Sequence, residues 1–341
     1  MPESNRREPI PVIAVTGYLG AGKTSLLNHV LRTPHARIGV VINDFGDINV
    51  DASLVSGQVD EPASISGGCI CCLPDDGELD VALARLADPR LRLDAIIIEA
   101  SGLADPVSLS RMVGFSGVDG VRDGGVIDVI DAATHFDMVD DDGGVPPARY
   151  GAATLVVVNK LDRIPEADRA AVLKKIEGRV RQRNARVQIV GATEGRIDPA
   201  LLYDVAARDE SGQLSFRDAL FDADSDEHHH VHAESVTVTS DGAVDPVALV
   251  ELLEDPPAGV YRLKGTVAVR QRSTTRAHVI NVVGTSVHVT RGAAGGSANV
   301  LVAIGMGIAT EDVRRRLSMA VRPATATTSP AANRRLQRYI R

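Results

Sequence analysis

The feature that most constrains the fold is a glycine-rich loop between an apolar strand and a helix. Residues 17–24 read GYLGAGKT, which fits the pattern GxxxxGK[ST], and they follow an apolar run at residues 11–16. A helix-forming stretch at residues 24–32 comes directly behind them. In this arrangement the N–H groups of the loop and the positive end of the helix dipole face one anion. We therefore predict a phosphate-binding loop, the alternative being a glycine-rich turn that matches by chance.

The residues of this loop have separate predicted roles. Its glycines let the backbone turn so that N–H groups face phosphate oxygens. We expect the Lys23 ammonium to pair with the β- and γ-phosphates and to act in catalysis, and the Thr24 hydroxyl to bind magnesium. The residues predicted to contact the nucleotide here are Gly17, Gly20, Ala21, Gly22, Lys23, Thr24 and Ser25.

The pattern along the chain predicts the fold class. Through about residue 206, short β-branched runs alternate with helix-like stretches. Strands are expected at residues 11–16, 38–42, 95–98, 126–130 and 155–158, and helices at residues 24–32 and 166–181. This alternation predicts a doubly wound α/β domain with a mostly parallel sheet. Shorter alternating runs after residue 234, with helices near residues 246–253 and 311–319, predict a small α+β domain.

Changes in composition divide the chain into four segments. We predict a nucleotide-binding domain at residues 1–208, an acidic histidine-rich linker at residues 209–234, a small α+β domain at residues 235–322 and a basic flexible tail at residues 323–341. The linker lacks periodicity, and the tail is low in core-forming residues. Disorder and contact with a partner both fit the composition of the tail.

Composition also argues against several classes of function. The formal net charge of −8 is unfavourable for a chain dedicated to nucleic acid or to an anionic membrane surface. No run approaches the ~18 apolar residues of a membrane span, and residues 1–9 contain no apolar signal core. We therefore expect a cytoplasmic protein without nucleic-acid or membrane partners.

A second motif concerns the base of the nucleotide. Asn159, Lys160 and Asp162 form an NKxD sequence directly after the strand at residues 155–158, where nucleotides bind in open α/β folds. A carboxylate only accepts hydrogen bonds, and guanine offers N1–H and the 2-amino group, whereas adenine presents an acceptor at N1. The stem of Lys160 can cover the ring. The motif predicts GTP as substrate, although NKxD alone is a weak signal that a solvated loop can match.

Three acidic residues are candidates for contacts at the γ-phosphate. Glu99 ends the strand at residues 95–98 and can orient the water shell of magnesium or the attacking water, which makes it a catalytic candidate with Lys23. The alternative is a solvated acid at a strand end. Asp44 and Asp47 follow the second strand, where a switch segment would sense the phosphate. We assign magnesium to Thr24, Asp44 and Glu99, and either aspartate can instead bind a transferable metal.

The three cysteines of the chain lie within four positions. Cys69, Cys71 and Cys72 form a CxCC motif between the Asp44 segment and the Glu99 strand. Three thiolates can hold one soft or borderline cation, whereas a closed structural zinc site normally has four protein ligands. We predict a transferable-metal site with zinc as the default, and cobalt or nickel remain open. The alternatives are a buried apolar trio and a redox sensor.

A histidine tract is a further candidate for metal binding. His228, His229, His230 and His232 supply neutral nitrogen donors in the acidic linker. They can capture or hand over metal together with the CxCC site, to which Asp47 can also contribute. The alternative is a solvated linker that is rich in histidine by composition alone.

The motifs in this order, GYLGAGKTS, NDFGDINVD, GGCICC, EASGLADP and NKLD, strongly resemble the CobW-like metallochaperone GTPases of the CobW/HypB/UreG group. The segments SVTVTSDGAVDPVALVELL, GVYRLKGTVAV and LVAIGMGI are similar to the C-terminal module of CobW. The resemblance implies GTP hydrolysis coupled to release of zinc, or in some members cobalt, from the CxCC cysteines to a client protein. Family members often carry glutamate where this chain has Asp44 and Asp47.

The expected partner is therefore a client metalloprotein, and the sequence leaves open whether the chain forms a homodimer. Two other functions compete with metal delivery. A small-molecule P-loop kinase would use the same phosphate loop but would have no need of the CxCC motif. A metal buffer or sensor would bind nucleotide and hydrolyse it slowly.

Overall fold

The computed structural model describes ten stretches of the chain: residues 8–32, 36–42, 63–64, 77–100, 106–140, 147–203, 233–271, 274–292, 298–324 and 330–340. Two sheets organise these residues. No helix among them has both the length and the apolar character needed to cross a lipid bilayer.

The first sheet has seven strands, and every pairing between them is parallel. Its strands are β1 (Ile10–Gly17), β2 (Ile38–Ile42), β3 (Ala63–Ser64), β4 (Ala95–Glu99), β5 (Val121–Asp131), β6 (Leu155–Asn159) and β7 (Gln188–Gly191). They lie in the order β3-β2-β4-β1-β5-β6-β7. The strand with the glycine-rich loop is therefore central, and all carboxyl ends meet at one edge.

Within the described residues, five α-helices accompany this sheet: α1 (Lys23–Leu31), α2 (Gly77–Leu86), α3 (Pro106–Phe115), α4 (His135–Asp140) and α5 (Glu166–Arg181). Alternation along β1 assigns them to its faces. Ile13 and Val15 pack in a cluster with Leu27 of α1, whereas Val12 and Ala14 belong to a cluster with residues of α2 and α3. The doubly wound α/β prediction is confirmed, since successive side chains of a strand point to opposite layers.

The second sheet has five antiparallel strands in the order β11-β10-β9-β12-β8. They are β8 (Glu234–Asp241), β9 (Val260–Gln271), β10 (Thr274–Val283), β11 (Ser286–Arg291) and β12 (Ala298–Gly305). Helices α6 (Pro246–Glu254), α7 (Thr310–Ala320) and α8 (Pro330–Gln337) share its apolar core. The expectation of a small α+β unit after residue 234 is confirmed for these residues.

The second sheet contacts the first at its amino edge. The Tyr261 hydroxyl lies 3.2 Å from Oγ1 of Thr154, directly before β6, and burial raises the pKa of Tyr261 to about 12. Ser286 donates to Asp123 near the start of β5 at 3.0 Å. The carboxyl edge, which carries the glycine-rich loop, lies at the other end of the same strands.

The end of the chain differs from the predicted flexible tail. Residues of α8 pack on the second core, with Leu336 fully buried. Arg335 and Tyr339 both bond to Glu254 of α6. Arg334 of this helix is exposed, whereas Leu336, with Tyr339 and Ile340 beside it, packs on the core.

The substitution Leu336→Ala tests this packing. We expect it to lower the free energy of unfolding by about 2–4 kcal/mol, because it removes a buried side chain and leaves a cavity. Arg334→Ala, at an exposed position of the same helix, is the control and should change stability by less than about 0.5 kcal/mol. Chemical denaturation measures both. Equal stability of the two variants would show that α8 does not pack on the core.

Candidate functional site

The glycine-rich loop connects β1 to α1 at the centre of the carboxyl edge. Gly22 precedes α1 with a φ of 102°, and a Cβ atom there would lie 2.2 Å from Nδ2 of Asn159. The first turn of α1 contains no acidic residue and no side-chain cap. Its N–H groups are therefore available to an anion, as the sequence predicts.

Lys23 occupies the interior of this loop. The residue is only 8% exposed. Its Nζ donates to the carbonyl oxygens of Gly17 at 3.0 Å and of Tyr18 at 3.2 Å. The Lys23 side chain thus folds back into its own loop. Its ammonium lies within reach of the space in front of the loop N–H groups.

Thr24 and Glu99 meet beside this loop. β4 is hydrogen-bonded to β1, with Val15 opposite Glu99, and this register brings the end of β4 next to α1. The Thr24 hydroxyl donates to Oε1 of Glu99 at 2.9 Å, and Glu99 is 6% exposed. A hydroxyl and a carboxylate are the hard oxygen ligands that magnesium prefers, so both residues fit the ion predicted for them.

Asn159 ties three loops together. The side chain is 1% exposed. Its Nδ2 donates to the Ala21 carbonyl at 3.0 Å, and its Oδ1 accepts from the Gly195 N–H at 2.8 Å. One N–H of the amide remains for other partners. Asn159 therefore positions the phosphate loop as well as adjoining the predicted base site.

The loop after β7 forms a further side of the site, and its residues are not among those predicted from the sequence. Gly195 has a φ of +74°, and a Cβ there would lie 2.4 Å from the backbone N of Leu26 in α1. No side chain fits between these backbones. The preceding strand is only four residues long, which explains why its pattern was too short to recognise.

The other two residues of the NKxD motif lie at the same edge. Lys160 has left-handed backbone geometry, and its Nζ contacts Oδ2 of Asp131 at 2.7 Å. Asp131 is the last residue of β5, and the hydrogen bond from Lys160 is the main contact that lowers the pKa of its carboxyl. Asp162 is exposed in a short 3-10 helix (Leu161–Arg163). Its carboxylate is therefore accessible to a nucleobase.

A buried ion pair lies behind the phosphate loop, and no sequence motif indicates it. Nε of Arg149 lies 2.9 Å from Oδ1 of Asp128, which also accepts a hydrogen bond from the Thr16 hydroxyl at 2.8 Å. Burial raises the pKa of Asp128, while the charge of Arg149 acts in the opposite direction. The guanidinium carbon of Arg149 is 4.5 Å from the ring centroid of Tyr18.

Several predicted residues lie outside the described part of the chain. They are Asp44, Asp47, Cys69, Cys71, Cys72, His228, His229, His230 and His232. Within the described stretches, no group of three or more His, Cys, Asp and Glu side chains could hold a metal ion. The predicted metal site is therefore not among the residues that the structure places. Ser25 and Gly20, both predicted to bind nucleotide, are placed and exposed.

Two family models match this chain. Residues 11–190 match the nucleotide-binding domain of CobW/HypB/UreG, and residues 233–321 match the C-terminal domain of the cobalamin synthesis protein cobW. The zinc chaperone YjiA of Escherichia coli strain K12 is 34% identical over 203 residues, which cover 58% of this chain and 61% of YjiA. The zinc chaperone CobW of a Sinorhizobium species is 29% identical over 290 residues, covering 75% of this chain and 80% of that protein.

Among solved structures, the Zn(II)-bound YjiA GTPase from E. coli aligns over 93% of this chain and 100% of its own, with a TM-score of 0.43 and 22% identity. The matched region in the YjiA sequence spans less than two thirds of that relative. The family match covers more than half of the present chain. The chain therefore belongs to the CobW/HypB/UreG family of nucleotide-binding proteins and also carries the CobW C-terminal domain.

Proposed function

We propose that this protein is a GTPase that binds zinc at its CxCC motif and passes it to a client metalloprotein under the control of the nucleotide. The observation that carries the proposal is the contact between the Thr24 hydroxyl and the Glu99 carboxylate, 2.9 Å apart at the mouth of the phosphate loop. Relatives named as zinc chaperones support the choice of metal.

The phosphates would bind between the loop N–H groups and the Lys23 ammonium. Phosphate oxygens are stronger acceptors than the Gly17 and Tyr18 carbonyls, because the hydrogen bond then joins two charged groups. The ammonium would turn from these carbonyls toward the β- and γ-phosphates. Catalysis would then rest on positioning and on electrostatic stabilisation of charge at the γ-phosphate.

Thr24 and Glu99 would hold magnesium and its water shell. Magnesium, when bound, neutralises charge that develops on the phosphates. Thr24 donates a hydrogen bond to Glu99, so the lone pairs of its hydroxyl oxygen would remain for the cation. Glu99 can also accept a proton from a water molecule and orient that water toward the γ-phosphate.

Guanine would be selected by Asp162. Its exposed carboxylate can accept from N1–H and from the 2-amino group of the base. Lys160, held in place by Asp131, would lie along the ring. Asn159 fixes the distance between this base site and the phosphate loop, because it bonds to Ala21.

The sheet topology supports a link between nucleotide and zinc. β2, β3 and β4 are parallel neighbours, and Ile42 is paired with both Ser64 and Glu99. The segment with the cysteines begins after β3, so the chain enters it from the edge that carries Glu99. Zinc, as the transferred cargo, would be held by thiolates, which suit borderline and soft cations.

The substitution Glu99→Gln tests the proposed catalytic role. We expect kcat for GTP hydrolysis to fall at least about 100-fold, because the amide cannot replace the charge of the carboxylate beside magnesium. GDP affinity without magnesium should change little. The measurement is phosphate release with no acceptor added.

Glu177→Gln, at a distant site on α5, provides the matched control and should keep wild-type turnover. An unchanged kcat in Glu99→Gln would remove this residue from the mechanism. Phosphate release by the wild type without an acceptor would argue against a kinase, and absence of turnover in the wild type with and without zinc would indicate a metal buffer or sensor.

The substitution Asp162→Asn tests base recognition. The amide oxygen of asparagine can accept from N1–H, and its NH2 group can donate to the 2-carbonyl of xanthine. With guanine, the NH2 group faces the 2-amino group, which is also a donor. We expect GTP affinity to fall at least about 100-fold and xanthosine triphosphate to become the preferred nucleotide. Competition titrations measure both, with Asp168→Asn as control. A preference for GTP that survives the change would exclude Asp162 as the selector.

A further inference from the structure

The buried ion pair between Arg149 and Asp128 lies against the phosphate loop. Arg149 comes from a short 3-10 helix (Ala148–Gly151) that precedes β6, and its side chain is 9% exposed. This helix is held firmly, because Tyr150 is buried and Asn184 donates to its carbonyl oxygen at 3.2 Å. The guanidinium is therefore presented to the loop from a rigid support.

The ion pair is an unfavourable arrangement if stability alone is considered. Nη2 of Arg149 is buried without a hydrogen-bond partner among the described residues, and Asp128 is 1% exposed. Removing two charges from water costs hydration energy, and an ion pair offsets this cost only if every polar atom has a hydrogen-bond partner. Apolar pairs of similar volume are often at least as stable. A role beyond stability would account for the pair.

Arg149 contacts the phosphate loop at Tyr18. The Arg149 guanidinium lies over its ring. The carbonyl oxygen of the same residue accepts from Nζ of Lys23 and, at 3.1 Å, from the backbone N–H of Ala21. Tyr18 therefore contacts both Lys23 and Ala21 in the loop before phosphate binds.

The base of the loop is tied to the same carboxylate. Thr16 donates to Asp128 from the residue directly before the loop. By contrast, the tip of the loop is open: Leu19 is 91% exposed, and a Cβ on Gly20 would meet nothing within 4 Å. Contacts to Thr16 and Tyr18 thus restrain the first half of the loop beside the exposed tip.

We propose that Arg149 is a positioning residue for the phosphate loop, which it holds in its binding shape through Asp128 and the Tyr18 ring. The proposal rests on nucleotide binding at this loop, as proposed above. A loop that is already ordered loses less conformational freedom when the ligand binds, so the ordering favours affinity. Arg149 touches neither phosphate nor magnesium in this role.

The test compares nucleotide binding by three variants. Arg149→Gln removes the cation, and Asp128→Asn with Arg149→Gln also removes the carboxylate that the first change leaves unpaired. Tyr18→Leu removes the ring, whereas Tyr18→Phe keeps it. Dissociation constants for fluorescent GDP and GTP analogues, the number of binding sites per chain and kcat are measured for each.

We expect the dissociation constants of both nucleotides to rise about tenfold or more in Arg149→Gln, in the double variant and in Tyr18→Leu. This rise corresponds to a loss of about 1.4 kcal/mol or more of binding free energy. Tyr18→Phe should restore wild-type affinity, and kcat at saturation should change less than the dissociation constants. Arg181→Gln breaks an exposed ion pair on α5 and is the matched control, with unchanged binding.

A merely structural role gives a different result. The number of binding sites per chain would then fall with the folded fraction, while the remaining sites kept wild-type dissociation constants. That result, or wild-type affinity in both the double variant and Tyr18→Leu, would overturn the proposal. Absence of nucleotide binding in the wild type would instead contradict the proposed function.

Discussion

The site depends on one constraint: the phosphate loop must pass so close to the Asn159 side chain, at the end of β6, that the loop residue there cannot carry a Cβ atom. Gly22 has no Cβ, and Asn159 fills the space with an amide that bonds to Ala21 and Gly195. The ends of β1, β6 and β7 are thereby fixed relative to each other. The groups proposed to bind phosphate, magnesium and the guanine base then lie at one edge of the sheet, on strand ends whose relative positions are fixed.

Much of this arrangement could be predicted from sequence because its determinants are local. The strand, glycine-rich loop and helix around Lys23 are continuous in the chain, and parallel strands place Glu99 and Asn159 at the same edge. The Arg149–Asp128 pair could not be predicted, since nothing near either residue indicates that a 3-10 helix will direct the guanidinium onto Tyr18. The helix α8 was missed because its anchoring depends on Leu336 meeting a core built elsewhere in the chain.

The topology suggests how a nucleotide could control a metal site in this family member. β2, β3 and β4 end side by side, and the segments that follow β2 and β3 carry the predicted switch aspartates and the CxCC cysteines. A third phosphate would change the charge beside Glu99, at the edge from which both segments start. The Tyr261–Thr154 and Ser286–Asp123 contacts of the second sheet lie at the opposite edge.

Zinc affinity in two nucleotide states tests the proposed coupling most directly. Competition with a chelating indicator measures the dissociation constant of zinc for the wild type and for Cys69→Ala/Cys71→Ala/Cys72→Ala, each with GDP and with a non-hydrolysable GTP analogue. We expect the wild-type constants to differ by about tenfold between nucleotides, and the variant to bind weakly in both. Equal affinity of the wild type in both states would contradict nucleotide-controlled delivery.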